Sequence, residues 1–440
     1  MRKGLSLVVC LIVIISMLAG CGKAADSSSR KTDGDVTEIE FWYGLGGKLG
    51  ETMEGIIDDF NASQDKIKVI GVQQSDYFET KRMVQSAVAS GKVPATVLLR
   101  NQDLNLFEEK GILERLNSYI GQNEEFYIED FIPSLLEYCQ KENGDIFGLP
   151  VYGTTQIMYY NKGVFEENGI NPDEAFSTWQ NLAEAAKKLH LEKEGETVFA
   201  GWSPMYGVDN LKDIAFSNGG SVLSEDGTEV LIDSEEWVEA WEAVRKWLHD
   251  DKIMSIHSGG DGWEYWYKTI DDVMQDRSAG YTGSNGDQSD LDFDKLAAHV
   301  QPGFGDHPAS PMADPITCAI LEKASDEQKQ AGFEWLTYLT SVEGTAKFAM
   351  STGYAPVRSS TMEDSEFKAY LEENPQAKVP IEQLGFAQKN FIDPTGGKID
   401  QALKDAADMV EIENVSAREA LGIAKETAQK ALDEYLANKE

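Results

Sequence analysis

Thr37-Glu38-Ile39-Glu40-Phe41-Trp42-Tyr43 is a run in which Ile39, Phe41 and Tyr43 alternate with Glu38, Glu40 and Trp42. A period of two marks a strand with one buried face. Leu49, Met53, Ile56, Ile57 and Phe60 then return at helical spacing. A second β-rich run follows at 67–72, a helix-patterned stretch at 77–89 and a third strand-like run at 95–99. Strand, helix, strand, helix, strand at this spacing predicts a parallel sheet covered by helices.

The same alternation continues downstream. IMYYN at 157–161 reads as a strand, as do 198–203 and 316–321. Ser177-Thr178-Trp179-Gln180 has the S-x-x-Q form of a capping box, and the helix it opens carries Trp179, Leu182, Ala183, Ala186 and Leu189 on one face. Trp237, Trp241, Val244 and Trp247-Leu248 form another helical stripe, 333–339 is helical, and Ser416-Ala417-Arg418-Glu419 opens a last helix. Trp263, Tyr265, Trp266 and Tyr267 make the densest aromatic cluster, read as a helix packed on its own lobe. No internal repeat is visible. The class is α/β throughout.

Upstream, Met1-Arg2-Lys3 precedes an apolar stretch at 5–18, shorter than the roughly 20 residues a spanning helix needs. A positive start, a short apolar core and small residues describe a secretory signal. Leu18-Ala19-Gly20-Cys21 resembles the lipobox of bacterial lipoproteins. That resemblance implies cleavage before Cys21, diacylation of its thiol and attachment to the outer face of a plasma membrane; two acyl chains anchor stably. Residues 22–35 are small, polar and aperiodic, the composition of a tether. The remaining chain, about 400 residues, is long enough for two cores and too long for one.

Composition narrows the function. The chain holds 39 basic and 76 acidic residues, a formal charge of −37. Phosphate-backbone binding needs basic patches, so nucleic acid is excluded as a partner. Of four cysteines only Cys139 and Cys318 fall outside the start of the chain; a disulfide and a pair of buried thiols are both open. The five histidines show no metal-ligand spacing, and H-E-x-x-H, G-x-S-x-G, Walker and CxxC motifs are missing. The reading is therefore a binding protein, not an enzyme, with no metal and no cofactor.

Five stretches in one order carry a resemblance. They are FWYGLGGKLGE from Phe41, YFETKRMVQSAVASGKVPA from Tyr77, FEEKGILERLNSYI from Phe107, NGDIFGLPVYGTTQIMYYNKGVF from Asn143 and FEWLTYLTSVEGTAKFAMSTGYAPV from Phe333. Together they resemble the extracellular solute-binding proteins of carbohydrate ABC importers, the class of the maltose-binding and glycerol-3-phosphate-binding proteins. The resemblance implies a periplasmic-binding-protein-like fold: two α/β lobes, a ligand cleft between them and a hinge that closes it. It implies residues 1–20 as signal, 21–36 as lipidated tether, 37–149 plus 315–350 as the first lobe, and 150–314 plus 351–440 as the second. Hinge strands are expected near 149–151 and 314–316. The implied partners are a carbohydrate ligand, the permease subunits and, through lipid, the membrane; the protein is expected to be a monomer.

Sugars present C–H faces that stack on rings and hydroxyls that need directed donors and acceptors. Candidates therefore sit just after strands, where α/β folds bind ligands. Trp42 and Tyr43 end the first strand before the Gly44, Gly46, Gly47 turn. Tyr77 matches a ligand-contacting tyrosine of the glycerol-3-phosphate binders. Asn101 and Asp103 follow the third strand, and Tyr152 and Thr154 lie at the first crossing. Trp202 and Tyr206 resemble a cleft aromatic pair, with Trp202 the leading stacking residue. Ser284, Asp314 on the return crossing, and Tyr354 in the Gly-Tyr-x-Pro turn complete the set. One departure bears on cargo: the late arginine that holds phosphate in glycerol-3-phosphate binders is missing from 391–398, where only Lys398 is basic. A neutral mono- or oligosaccharide is expected; a polyol or glycerol-phosphate-type cargo, or a role as a solute-sensing lipoprotein, are the alternatives.

Overall fold

The alternation in the opening run decides which face of the first strand is buried. In β1 (Thr37–Tyr43), Ile39, Phe41 and Tyr43 face one core while Glu38 and Glu40 stay in solvent. The computed structural model describes residues 36–141, 143–260 and 262–438. The signal, Cys21 and the tether to residue 35 lie outside the described residues. Thr37–Glu440 form one compact unit.

β2 (Ile67–Gln73) pairs with β1 in parallel along its length, from Thr37↔Ile67 to Tyr43↔Gln73. β3 (Thr96–Arg100) joins the other side of β1, also in parallel. The connecting helices Gly47–Ser63 and Tyr77–Ser90 provide the crossovers that parallel neighbours require. The later strands are β4 (Leu149–Asn161), β5 (Leu191–Lys193), β6 (Glu196–Phe199), β7 (Gly280–Ser284), β8 (Leu296–His299), β9 (Met312–Ile320) and β10 (Gln388–Lys389). The main sheet runs β2-β1-β3-β9-β4-β7, with β10 beside β9 and β8 beside β4. The strand expected at 198–203 is shorter than its pattern. Only Glu196–Phe199 is extended, in an exposed hairpin with β5, and 200–203 make isolated bridges to neighbouring segments.

The segments singled out near 149–151 and 314–316 fall in β4 and β9. They run antiparallel from Leu149↔Cys318 to Thr155↔Ala313, with an irregularity between Pro150 and Tyr152. β4 is thirteen residues long and changes partners midway: beyond Thr155 it pairs with β7 and β8 instead. One core gathers around Phe41, Phe60, Trp335 and Leu336 and also takes in Tyr354 and Val357. A second gathers around Trp179, Trp202, Trp237, Trp241 and Leu432.

Local details follow the chemistry of the sequence with small shifts. Thr178, not Ser177, caps the Trp179–Leu189 helix, accepting from the Asn181 N–H. Ser416 caps the Ala417–Ala437 helix as read, accepting from Glu419. Cys139 and Cys318 are buried free thiols, and burial pushes both pKa values up. No helix among the described residues is long and apolar enough to cross a membrane.

Candidate functional site

The loops that follow β1, β3 and β7, together with the middle of β4 and the start of β9, open onto one cleft of about 700 Å³. Its size and its mixture of rings with a few convergent polar groups suit a small-molecule site. Of the residues singled out in the sequence, Tyr77, Asn101, Thr154, Tyr206, Ser284, Asp314 and Tyr354 line it. They come from seven separate segments of the chain.

Five others lie elsewhere, each for a legible reason. Tyr43 shares the inward face of β1 with Phe41, is fully buried 5.3 Å from it, and its hydroxyl bonds Glu54. Trp42 points to the opposite face, packs on the core around Leu99 and Phe107, and donates its indole N–H to Glu40. Asp103 is buried and held by Lys81 at 2.7 Å, so Lys81 rather than Asp103 faces the cleft. Tyr152 lies behind the wall, its hydroxyl 2.6 Å from that of Tyr77. Trp202 is 0% exposed, packs edge-on against Phe176 and donates to Thr282. It is a core residue and offers no face to a ligand.

The rings that reach the cleft are those of the 263–267 cluster, of which Tyr265 and Trp266 also pack on the core around Ile157, Tyr159 and Tyr281 as expected. Trp263, Tyr265, Trp266 and Tyr267 all line the cleft. The Glu264–Met274 helix buries only Thr269, Ile270 and Val273 on its core side. The signal was present in the sequence: consecutive helical residues are about 100° apart, so aromatics at 265, 266 and 267 do not fit one buried stripe. Trp266 is fixed by an N–H bond to Asp287, 2.8 Å, and Asp287 also accepts from Tyr281 at 3.0 Å. Across from this wall, Tyr77 meets Trp263 edge-on at 6.4 Å. Gly47, with φ +49°, leaves room for the Tyr267 hydroxyl, which a Cβ there would meet at 2.7 Å. Phe78 stands 58% exposed at the same cleft.

The polar part is a connected network. Asn101 and Asn390 donate to the two oxygens of Asp314, at 3.4 and 2.6 Å. Lys212, 1% exposed, donates to Asn390 and pairs with Asp209, each at 3.3 Å. Arg100 reaches Asp209 at 3.7 Å. Burial opposes the charge on Arg100 and on Lys212, but the surrounding carboxylates more than offset it, and both pKa values are raised. Burial pushes Asp400 up to about 6 and Asp213 to about 7. Tyr77 is pushed up to about 12 by burial. Sequence reading missed Arg100, Asn210, Lys212, Asn390 and Asp400, which carry no motif and meet only through the fold.

This architecture has solved counterparts. The structure of UgpB from Mycobacterium tuberculosis in complex with glycerophosphocholine superposes with a TM-score of 0.79 at 21% identity, covering 91% of this chain and 99% of that one. A Listeria monocytogenes ABC substrate-binding protein in complex with cycloalternan gives 0.79 at 21%, covering 91% and 100%. In sequence, the sn-glycerol-3-phosphate-binding periplasmic protein of Yersinia enterocolitica is 25% identical over 368 residues, 79% of this chain and 80% of that protein. The model of the family described as bacterial extracellular solute-binding protein matches residues 55–376, and the chain belongs to that family of binding proteins, not enzymes.

Proposed function

We propose that this protein is the lipid-anchored solute-binding component of an ABC importer and that its cargo is a neutral mono- or oligosaccharide. The observation that carries the cargo reading is the pairing, in one cleft, of a ring wall (Tyr77, Trp263, Tyr265, Trp266) with a floor of amides and carboxylates (Asn101, Asn390, Asp314). Rings take the C–H faces of a sugar and the floor takes its hydroxyls. β4 and β9 serve as the hinge between a lobe of 37–149 with 315–350 and a lobe of 150–314 with 351–440. A ligand that touches both lobes only when they close shifts the population to the closed state, and the permease reads that state. Diacylated Cys21 holds the monomer at the outer face of the plasma membrane.

Two measurements test this. A thermal-shift screen of the Thr37–Glu440 unit against neutral saccharides, polyols and their phosphates is expected to show stabilisation by a neutral saccharide, rising with concentration and lost in Trp263→Ala. Stabilisation only by a phosphorylated solute, or by none, counts against the cargo. Labelled palmitate is expected on the full chain in a bacterial host and not on Cys21→Ser; equal labelling of both removes the anchor.

A second reading has an observation in its favour. Arg100 and Lys212 are both in the cleft, and curated relatives are named for sn-glycerol-3-phosphate. Phosphorylated cargo would use those two cations in place of the arginine missing from 391–398.

A further inference from the structure

Arg100 and Lys212 are not free to meet an anion. Arg100 sits among Asp209, Asp103, Asp314 and Asp400, and all four act on its charge. Lys212 faces Asp209, Asp400 and Asp314. Asp103 already belongs to Lys81. That leaves three carboxylates around two cations. Lys404 also lines the cleft and acts on Asp209; it is exposed at the rim and lies over the Phe78 ring at 5.4 Å. Asp393, which lines the cleft, acts on Asp400 with the opposite sign.

Two polar groups in the same cleft lack partners. Asn210 is 1% exposed, lines the cleft, and neither its amide N nor its amide O has a hydrogen-bond partner among the described residues. Asp400 also lines it, and its Oδ1 is buried and unpartnered. Leaving a buried polar group unsatisfied is unfavourable, so both mark a place where a ligand completes the bonding. Asn210 needs a group that both donates and accepts. Asp400 needs a donor. A hydroxyl meets both demands and an ammonium group meets the second; a phosphate dianion offers acceptors only and adds negative charge where carboxylates already outnumber cations.

We propose that Asp209 and Asp400 form a charge filter: they hold Arg100 and Lys212 in a self-neutralised cluster and, with Asn210, leave a subsite open to hydroxyl or ammonium donors and closed to phosphate. This rests on the reading of the cleft as the solute site and makes its cargo selective by charge. Asp209 lies on the Val208–Ser217 helix and Asp400 on the Lys398–Glu411 helix, so the filter draws on two elements far apart in the chain.

The test uses the full chain with inorganic phosphate and sn-glycerol 3-phosphate as probes, by calorimetry and thermal shift, against sodium chloride at matched ionic strength. Wild type is expected to show no stabilisation beyond chloride. Asp209→Asn, and more strongly Asp209→Asn with Asp400→Asn, should gain phosphate affinity about tenfold or more, and adding Arg100→Gln should remove the gain. Asp209 is 44% exposed, so its single variant keeps the test in hand if the double one misfolds. Phosphate binding by wild type, or no gain in folded variants, overturns the filter. A neutral-saccharide screen on the same samples reads the cargo separately: failure there with the phosphate pattern intact sinks the saccharide and not the filter.

Discussion

The hydroxyl of Tyr77, on the cleft wall, lies 2.6 Å from the hydroxyl of Tyr152, buried in the crossing strand β4. Tyr152 itself packs against two rings, Tyr354 at 4.3 Å and Phe348 at 4.7 Å. A residue that lines the cleft is thus oriented by a buried residue behind it. Tyr152→Phe is expected to destabilise by about 1 kcal/mol in urea unfolding and to weaken ligand binding, because the Tyr77 ring loses its anchor. Tyr77→Phe should have a similar effect on stability, and the double variant little more than either alone; full additivity would show that the pair is not coupled.

Trp202 and Trp263 should separate fold from binding. Trp202→Ala opens a cavity in a core and is expected to destabilise by about 3–5 kcal/mol. Trp263 is only partly buried at the cleft. Trp263→Ala should leave the unfolding midpoint within about 1 kcal/mol of wild type and abolish saccharide-induced stabilisation. The reverse pattern would place the stacking surface at Trp202.

Stability should fall as pH rises across the neutral range. Burial raises Asp400 to about 6, Asp213 to about 7, and Asp287 and Glu411 to about 8. A carboxyl whose folded pKa lies above its unfolded value near 4 contributes stability fully below pH 4, and that contribution is lost as pH climbs through the folded pKa. The window is therefore pH 4 to 8, and the melting temperature is expected to be higher at pH 5.5 than at pH 8. Asp287→Asn should flatten the slope. A melting temperature that rises from pH 5.5 to 8 would contradict the burial argument.

Gly286 has a steric job. A Cβ there would lie 2.2 Å from the Tyr354 ring, which Tyr152 already backs. Gly286→Ala is expected to push Tyr354 off its stack, lowering stability by about 1–3 kcal/mol and weakening ligand binding together. An unchanged affinity would remove Tyr354 from the site.

Periodicity was enough for the first three strands and their helices. The alternation at Ile39, Phe41 and Tyr43 and the helical spacing from Leu49 to Phe60 gave the parallel β2-β1-β3 unit, because both patterns are local. The same alternation also contained the error at Tyr43: a residue in phase with Ile39 and Phe41 must share their buried face. Trp202 was misread because resemblance gives a position and not the direction of a ring. The Asn210, Lys212 and Asp400 cluster was invisible since Asn210 and Lys212 sit on one helix and Asp400 on another far along the chain, and the two meet only through the core that holds Leu211 and Leu403. Tyr77, Asn101 and Asp314 were legible because a loop after a strand, or a crossing strand, is defined by topology alone.

The place of β9 between β3 and β4 has a consequence for how the chain is made. Thr317 bonds the Leu99 carbonyl from 218 residues further along the chain. Until β9 emerges, β3 has a bare edge and β4 lacks its longest neighbour, so neither half of the sheet is complete. The N-terminal strands can pair early, yet the sheet cannot lock before the last third of the polypeptide has been synthesised. A fragment ending before Met312 is therefore expected to leave the β3 edge unpaired and to refold without the cooperative unfolding of the whole chain.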